Sequence, residues 1–168
     1  FMLLAIMSYQ YMSEGTIFFY LIIYLITTFG VFSVILNLRT SEGEITLLTG
    51  LNGLKAASRS KAISMLVFLF SLAGIPPFAG FFAKFFILSA SINEGFYILS
   101  VIAVISSVIA AFYYLSVIKN MFFNESETEL LLDNNRLSSF IFISSAIIIT
   151  LFFFYPDPLI NLVDSLFN

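Results

Sequence analysis

Residues 70–86, Phe70-Ser71-Leu72-Ala73-Gly74-Ile75-Pro76-Pro77-Phe78-Ala79-Gly80-Phe81-Phe82-Ala83-Lys84-Phe85-Phe86, decide how this chain folds. They lie within a long segment running from Ala62 to Asn93. As one straight helix that segment would be about 48 Å long at 1.5 Å per residue. The hydrocarbon core of a bilayer is only about 30 Å thick. Two consecutive prolines remove two backbone donors, and the residue before a proline avoids the helical region. The reading is therefore two half-helices, Ala62 to Ala73 and Phe78 to Ile92, joined inside the membrane by a break at Gly74, Pro76, Pro77 and Gly80. The plainer alternative is a loop between two short spans, a re-entrant hairpin. Each half, however, is too short to cross alone.

Composition supports lipid as the solvent. Of 168 residues, 60% are hydrophobic and 10% charged, against about 25% charged in soluble domains. A soluble core of this size would lack the polar surface to cover it. Thr16 to Leu38, Gly95 to Ile118 and Leu137 to Tyr155 are uncharged and long enough to span. Phe1 to Met12 reads as the tail of a helix. The expected fold class is an all-α integral membrane protein with about five hydrophobic helical segments, one of them a discontinuous transmembrane helix. Residues 1–168 form a single membrane domain, with Ser13-Glu14-Gly15 as a tight polar turn and polar loops at 39–61 and 119–136. Pro156 and Pro158 stop the last span, and Leu159, Leu162, Val163 and Leu166 mark an interfacial tail over 159–168.

The seven Lys and Arg residues sort by side. Arg39, Lys55, Arg59 and Lys61 share one loop, and Lys119 and Arg136 flank the other. The opposite segments carry Glu14, Glu94, Asp157 and Asp164 but no base. Basic residues mark the cytoplasmic or matrix side, so both loops are expected there. A net charge of -3 without a basic, aromatic-interleaved cluster excludes nucleic acid as a partner. The chain has no Cys and no His, which excludes thiolate iron–sulfur ligation, histidine-bound haem and the usual zinc sites. No cofactor-binding or metal residue is assigned. No targeting signal is visible. The start at Phe1, in mid-helix, is read as a split-gene product, a processed chain or a partial one.

One residue carries chemistry. Six of the basic residues flank the spans; the seventh, Lys84, stands inside the second half-helix between Ala83 and Phe85. A Lys at the bilayer centre costs on the order of 3 kcal/mol on insertion scales. Desolvation disfavours its ammonium form, so such a group can take up and release a proton. The helix break beside it frees backbone carbonyls and admits water at a depth where irregular backbone is tolerated only in protein or against a wet cavity. Lys84 is therefore the candidate proton relay. The plainer reading is that it snorkels, but the end of its helix is roughly 12 Å away along the axis.

Hydroxyls make weaker claims. Tyr20, Tyr24, Thr27 and Thr28 share a helix face, and Tyr113, Tyr114 and Ser116 cluster on another span. Tyr24, Thr28, Tyr113 and Tyr114 are the candidate water-ordering groups; the competing reading is interhelix bonding or an interfacial belt. The acidic run Glu125 to Glu129 reads as a solvated loop or a contact with a basic partner.

The run Phe70 to Phe85 closely resembles the broken-helix motif of the subunit 2 family of NADH:ubiquinone oxidoreductase (respiratory complex I), a group of antiporter-like membrane subunits. Tyr20, Tyr24, Thr28, Gly30 and Phe32 resemble that family's preceding helix. Leu48, Gly50 and Leu51 resemble its loop element, and Phe112-Tyr113-Tyr114-Leu115 with Lys119 and Met121 its following helix. Lys followed by Phe at 84–85 is similar to subunit 2, where related subunits carry Glu, or Lys followed by Asp. Ser116 departs from the family's frequent Arg. The chain matches only the family's last part, and the family's earlier relay residues, a Glu and two lysines, have no counterpart in it.

The resemblance implies a proton-translocating membrane-arm subunit, non-redox itself, in which Lys84 carries protons along part of a pathway coupled to electron transfer from NADH to quinone. NAD, FMN, iron–sulfur clusters and ubiquinone are then expected in other subunits. Expected partners are the other membrane-arm subunits of complex I, a separate chain supplying the missing N-terminal helices, and lipid. The abundance of Phe (22 residues) fits T- and A-rich codons of an organellar genome. The expected location is thus the mitochondrial inner membrane, multi-pass, with loops 39–61 and 119–136 on the matrix side. Two alternatives stay open: a subunit of a cation/proton antiporter, and a structural membrane subunit whose Lys84 only pairs with a neighbour's carboxylate.

Overall fold

The computed structural model describes residues 1–8, 14–40, 43–45, 47–126, 130–132 and 135–155. The expected interfacial tail 159–168, the span-stopping prolines Pro156 and Pro158, and Ser13, Glu127, Glu129 and Asp133 lie outside the described residues. In chain order the elements are α1 (Met2–Met7), α2 (Glu14–Ile35), β1 (Leu38–Thr40), β2 (Gly43–Glu44), a 3₁₀ turn (Leu48–Leu51), α3 (Leu54–Ala57), α4 (Arg59–Ala73), α5 (Ala79–Asn93), α6 (Tyr97–Phe123), β3 (Leu130–Leu132) and α7 (Arg136–Phe154).

Among the described residues, three helices are long and apolar enough to cross a membrane: α2 from Gly15, α6 and α7. The half-helices α4 and α5 have 15 residues each, about 22 Å apiece, and neither spans alone. The chain is a multi-pass membrane protein with one broken span, as the Pro-Pro signal predicts.

Local chemistry sets the element ends. α4 closes on Gly74 in the left-handed conformation at φ 81°. Ile75 N–H then bonds the Phe70 carbonyl at 3.0 Å and Gly74 N–H the Ser71 carbonyl at 3.0 Å, the paired pattern that glycine permits after a helix. α5 ends on Gly95 with the same pairing, Phe96 N–H to Ser91 and Gly95 N–H to Ile92, both 3.0 Å. At the start of α7 the Asn135 side chain accepts from Leu137 N–H at 3.0 Å, which satisfies one of the first-turn donors.

In the bundle, α2 packs against α7, α4 and α5, while α4 is wedged between α2, α6 and α7. Phe19, Ile23 and Val34 of α2 meet Phe68 of α4, Ala79 and Ala83 of α5, and Phe142 and Ile149 of α7 in one buried cluster. A smaller cluster joins Leu4 and Ala5 of α1 to Ile87 and Ala90 of α5. Lipid tails are as apolar as these side chains, so close van der Waals packing holds the helices together rather than escape from water. α6 is the least enclosed, with Ile98, Val101, Ile105, Val108 and Phe112 exposed.

The two polar segments are more structured than expected, and their limits shift. β1 is the middle strand of a three-stranded antiparallel sheet, order β2-β1-β3. It pairs Leu38 with Leu132, Arg39 with Leu131 and Thr40 with Leu130. This joins segments 39–61 and 119–136 at one end of the bundle. Residues 119–123 belong to α6, where Met121 is fully buried. Residues 59–61 belong to α4. Lys61, expected in the loop, is 2% exposed. Its Nζ donates to the Asn37 carbonyl just beyond α2 at 3.3 Å, an acceptor freed because the helix has ended.

Candidate functional site

The site grows out of the helix break. The last four carbonyls of α4, on Phe70, Ser71, Leu72 and Ala73, have no partner in an unbroken ladder once the helix stops. Gly74 and Ile75 cover the first two. Leu72 and Ala73 would normally receive the N–H groups four residues on, but those residues are Pro76 and Pro77, which have none. Lys84 takes both places. Its Nζ donates to the Leu72 carbonyl at 2.7 Å, to the Ala73 carbonyl at 3.2 Å and to Ser107 Oγ of α6 at 2.8 Å. An ammonium has three hydrogens and no lone pair, so all three are used. The Phe1 ring adds its face, with Nζ 5.1 Å from the ring centroid, within cation–π range.

The two half-helices strap each other reciprocally. While Lys84 of α5 reaches back to carbonyls of α4, Ser71 Oγ of α4 accepts from Gly80 N–H in the first turn of α5 at 3.1 Å. The close approach needs Gly80, since a Cβ there would overlap the Ser71 carbonyl. Gly74 leaves room for the Lys84 stem: a Cβ there would come within 3.0 Å of Lys84 Cδ. The side chain thus folds toward the break, and its nitrogen does not run to the helix end as snorkelling requires.

A cavity of about 200 Å³ opens beside Lys84. The hydroxyl-bearing residues Tyr20, Tyr24 and Thr27 (α2), Ser71 (α4), and Ser106, Ser107 and Tyr114 (α6) line it, together with Ile23, Leu72, Ala83 and Phe1. A void needs only about 15 Å³ to hold one water if polar partners are present. On its other side Lys84 borders a cavity of about 180 Å³ among Ala73, Gly74, Phe81, Phe85, Leu88, Val104 and Val108. Lys84 and Ser107 line both.

Of the residues marked from sequence, Gly74, Pro76, Pro77, Gly80 and Lys84 come together at the break, and Tyr24 and Tyr114 line the hydroxyl cavity. Thr28 does not line it; Thr27 does, buried and donating to the Ile23 carbonyl at 2.6 Å. Tyr113 is 62% exposed and lines neither cavity. Ser107 was not among the expected residues. Its signal in the sequence is faint: Ser106-Ser107 is a pair of hydroxyls midway along a mostly apolar span that carries other hydroxyls at Ser100, Tyr113, Tyr114 and Ser116.

Known proteins share this fold and sequence. The solved respiratory complex I from Thermus thermophilus contains a chain of similar fold, with a TM-score of 0.82, 24% identity, and coverage of 95% of this chain and 36% of that one. NADH-quinone oxidoreductase subunit N of Rhodospirillum rubrum is 41% identical over 142 residues, 84% of this chain and 29% of its own. The Pelagibacter ubique protein of that name is 37% identical over 147 residues, 88% of this chain and 31% of its own. The chain therefore spans under a third of the length of these curated relatives. Residues 1–110, which contain the break and Lys84, match the family described as NADH:quinone oxidoreductase/Mrp antiporter, transmembrane region, and the chain belongs to that family.

Proposed function

We propose that this chain works as a proton-translocating part of the membrane arm of an NADH:quinone oxidoreductase. Lys84 is its reversible proton carrier and it holds no redox centre of its own. The observation that carries this reading is the Nζ of Lys84, held by two main-chain carbonyls and a hydroxyl beside a hydroxyl-lined cavity. Relatives named NADH-quinone oxidoreductase subunit N support the redox-coupled assignment over a free-standing antiporter. On this reading NADH oxidation and quinone reduction take place on FMN, iron–sulfur clusters and ubiquinone in other subunits. The remaining helices of the fold come from other polypeptide sequence, and lipid and membrane-arm neighbours cover the exposed faces.

The Phe-rich composition supports the mitochondrial inner membrane, and the basic residues Arg39, Lys55 and Arg59 support the β1–β3 end facing the matrix. In a bacterial host, as for the relatives above, that end faces the cytoplasm. Protease accessibility of residues 47–58 in sealed vesicles of each orientation tests the sidedness.

The deciding experiment replaces Lys84 with Met in the assembled complex and measures protons moved per NADH oxidised. The ratio, or the coupled rate, falls while assembly and NADH oxidation by an artificial acceptor persist. An unchanged ratio and rate would remove Lys84 from the pathway. Ion movement indifferent to NADH and to quinone-site inhibitors would favour the antiporter reading that the family also covers.

A further inference from the structure

We infer that Ser107 is the proton-exchange partner of Lys84, the group through which the Lys84 nitrogen passes its proton to and from the hydroxyl-lined cavity. This rests on Lys84 being the proton carrier. The hydrogen-bond and ring contacts of the nitrogen among the described residues go to four groups: the Leu72 and Ala73 carbonyls, the Phe1 ring and the Ser107 hydroxyl. A main-chain carbonyl accepts a hydrogen bond but has no proton to return, and an aromatic face offers neither. A hydroxyl is both donor and acceptor. Of the four, Ser107 alone can accept a proton from the ammonium and donate one to the amine.

The geometry fits both states. With Lys84 as ammonium, Nζ donates to both carbonyls and to Ser107 Oγ at 2.8 Å. The serine hydrogen then turns to the Ala73 carbonyl, 3.5 Å away, or into the cavity. With Lys84 as amine, two hydrogens keep both carbonyls and the nitrogen lone pair accepts from Ser107 O–H. Transfer outward is a concerted shift. One Nζ–H bond breaks as that hydrogen bonds to Ser107 Oγ. The hydroxyl's former hydrogen leaves to a cavity water, which becomes hydronium, and Lys84 is left neutral. Uptake runs the same steps in reverse. The hydroxyl-bearing residues Tyr24, Thr27, Ser106 and Tyr114 also line this cavity, with Thr27 and Ser106 donating to the Ile23 and Ile102 carbonyls and left with oxygen lone pairs to accept from water, whereas the other void beside Lys84 is lined by apolar groups apart from Lys84 and Ser107.

The test compares Ser107→Ala, Ser107→Thr and Ser107→Cys in the assembled complex, with Lys84→Met alongside. Coupled turnover and proton movement are measured in H₂O and D₂O, together with NADH oxidation by an artificial acceptor. Ser107→Ala is expected to slow coupled proton movement about tenfold, the lower edge of what a placed proton-transfer group contributes, and to enlarge the solvent isotope effect. Ser107→Thr, which keeps the hydroxyl, restores both. Ser107→Cys, close to serine in size, stays slow and stands in for Ala if that variant fails to assemble. Loss in Lys84→Met with wild-type rate and isotope effect in Ser107→Ala or Ser107→Cys overturns the role of Ser107 and leaves Lys84 standing. Slow turnover in Ser107→Ala that Ser107→Thr does not rescue shows a packing role and overturns it too. No effect of Lys84→Met removes the reading underneath.

Discussion

Pro76 and Pro77 act through what they lack. Each stands four residues after a carbonyl that Lys84 uses, so each deletes an N–H that would compete for it. The double change Pro76→Ala/Pro77→Ala lets α4 run on and offers both carbonyls a main-chain donor. Coupled turnover should fall although Lys84 is untouched, which pumping assays on the assembled complex will show. Gly74→Ala acts differently. A side chain in the left-handed region costs about 1–2 kcal/mol, and its Cβ presses the Lys84 stem. The expected result is a lower thermal midpoint for the complex together with reduced coupling.

At the scale of elements, the strap between α4 and α5 depends on a gap no wider than a glycine. Gly80→Ala pushes Cβ into the Ser71 carbonyl and lengthens the bond from Gly80 N–H to Ser71 Oγ. Overpacking of this kind typically costs about 1–3 kcal/mol. Assembly yield on native gels should drop before any change in turnover per assembled complex is seen. The break itself was legible in the sequence because prolines, glycines and an intramembrane lysine are local signals. Ser107 was not. It lies 23 residues from Lys84 and meets it only because α6 packs beside the break. Periodicity could not show which face of α6 does so, because lipid-facing and protein-facing side chains are equally apolar. The same blindness exchanged Thr28 for its neighbour Thr27 in the cavity wall.

For the molecule as a whole, the polar end is a fastening. β1 ties the segment after α2 to β3, which precedes α7, and buried Lys61 ties the start of α4 to the chain leaving α2. Strand pairing across some 90 residues and a buried loop-side lysine leave no short-range mark, so both read as plain polar loop. Lys61→Met keeps the bulk and loses the bond to Asn37. With hydrogen bonds to charged groups worth about 1.5–3 kcal/mol, the variant should lower the thermal midpoint in detergent. Turnover of the complexes that do form should stay near wild type, since Lys61 lines neither cavity.

Lys84 meets main-chain oxygens on α4, and every amino acid carries one. The side chains at 72 and 73 are therefore bystanders to the contact. Under neutral drift those two positions can wander among apolar residues while the ammonium keeps its berth. In a saturation library, tolerance should be broad at 72 and 73 and narrow at 74, 76, 77 and 84, an uneven profile that side-chain-to-side-chain recognition would not produce.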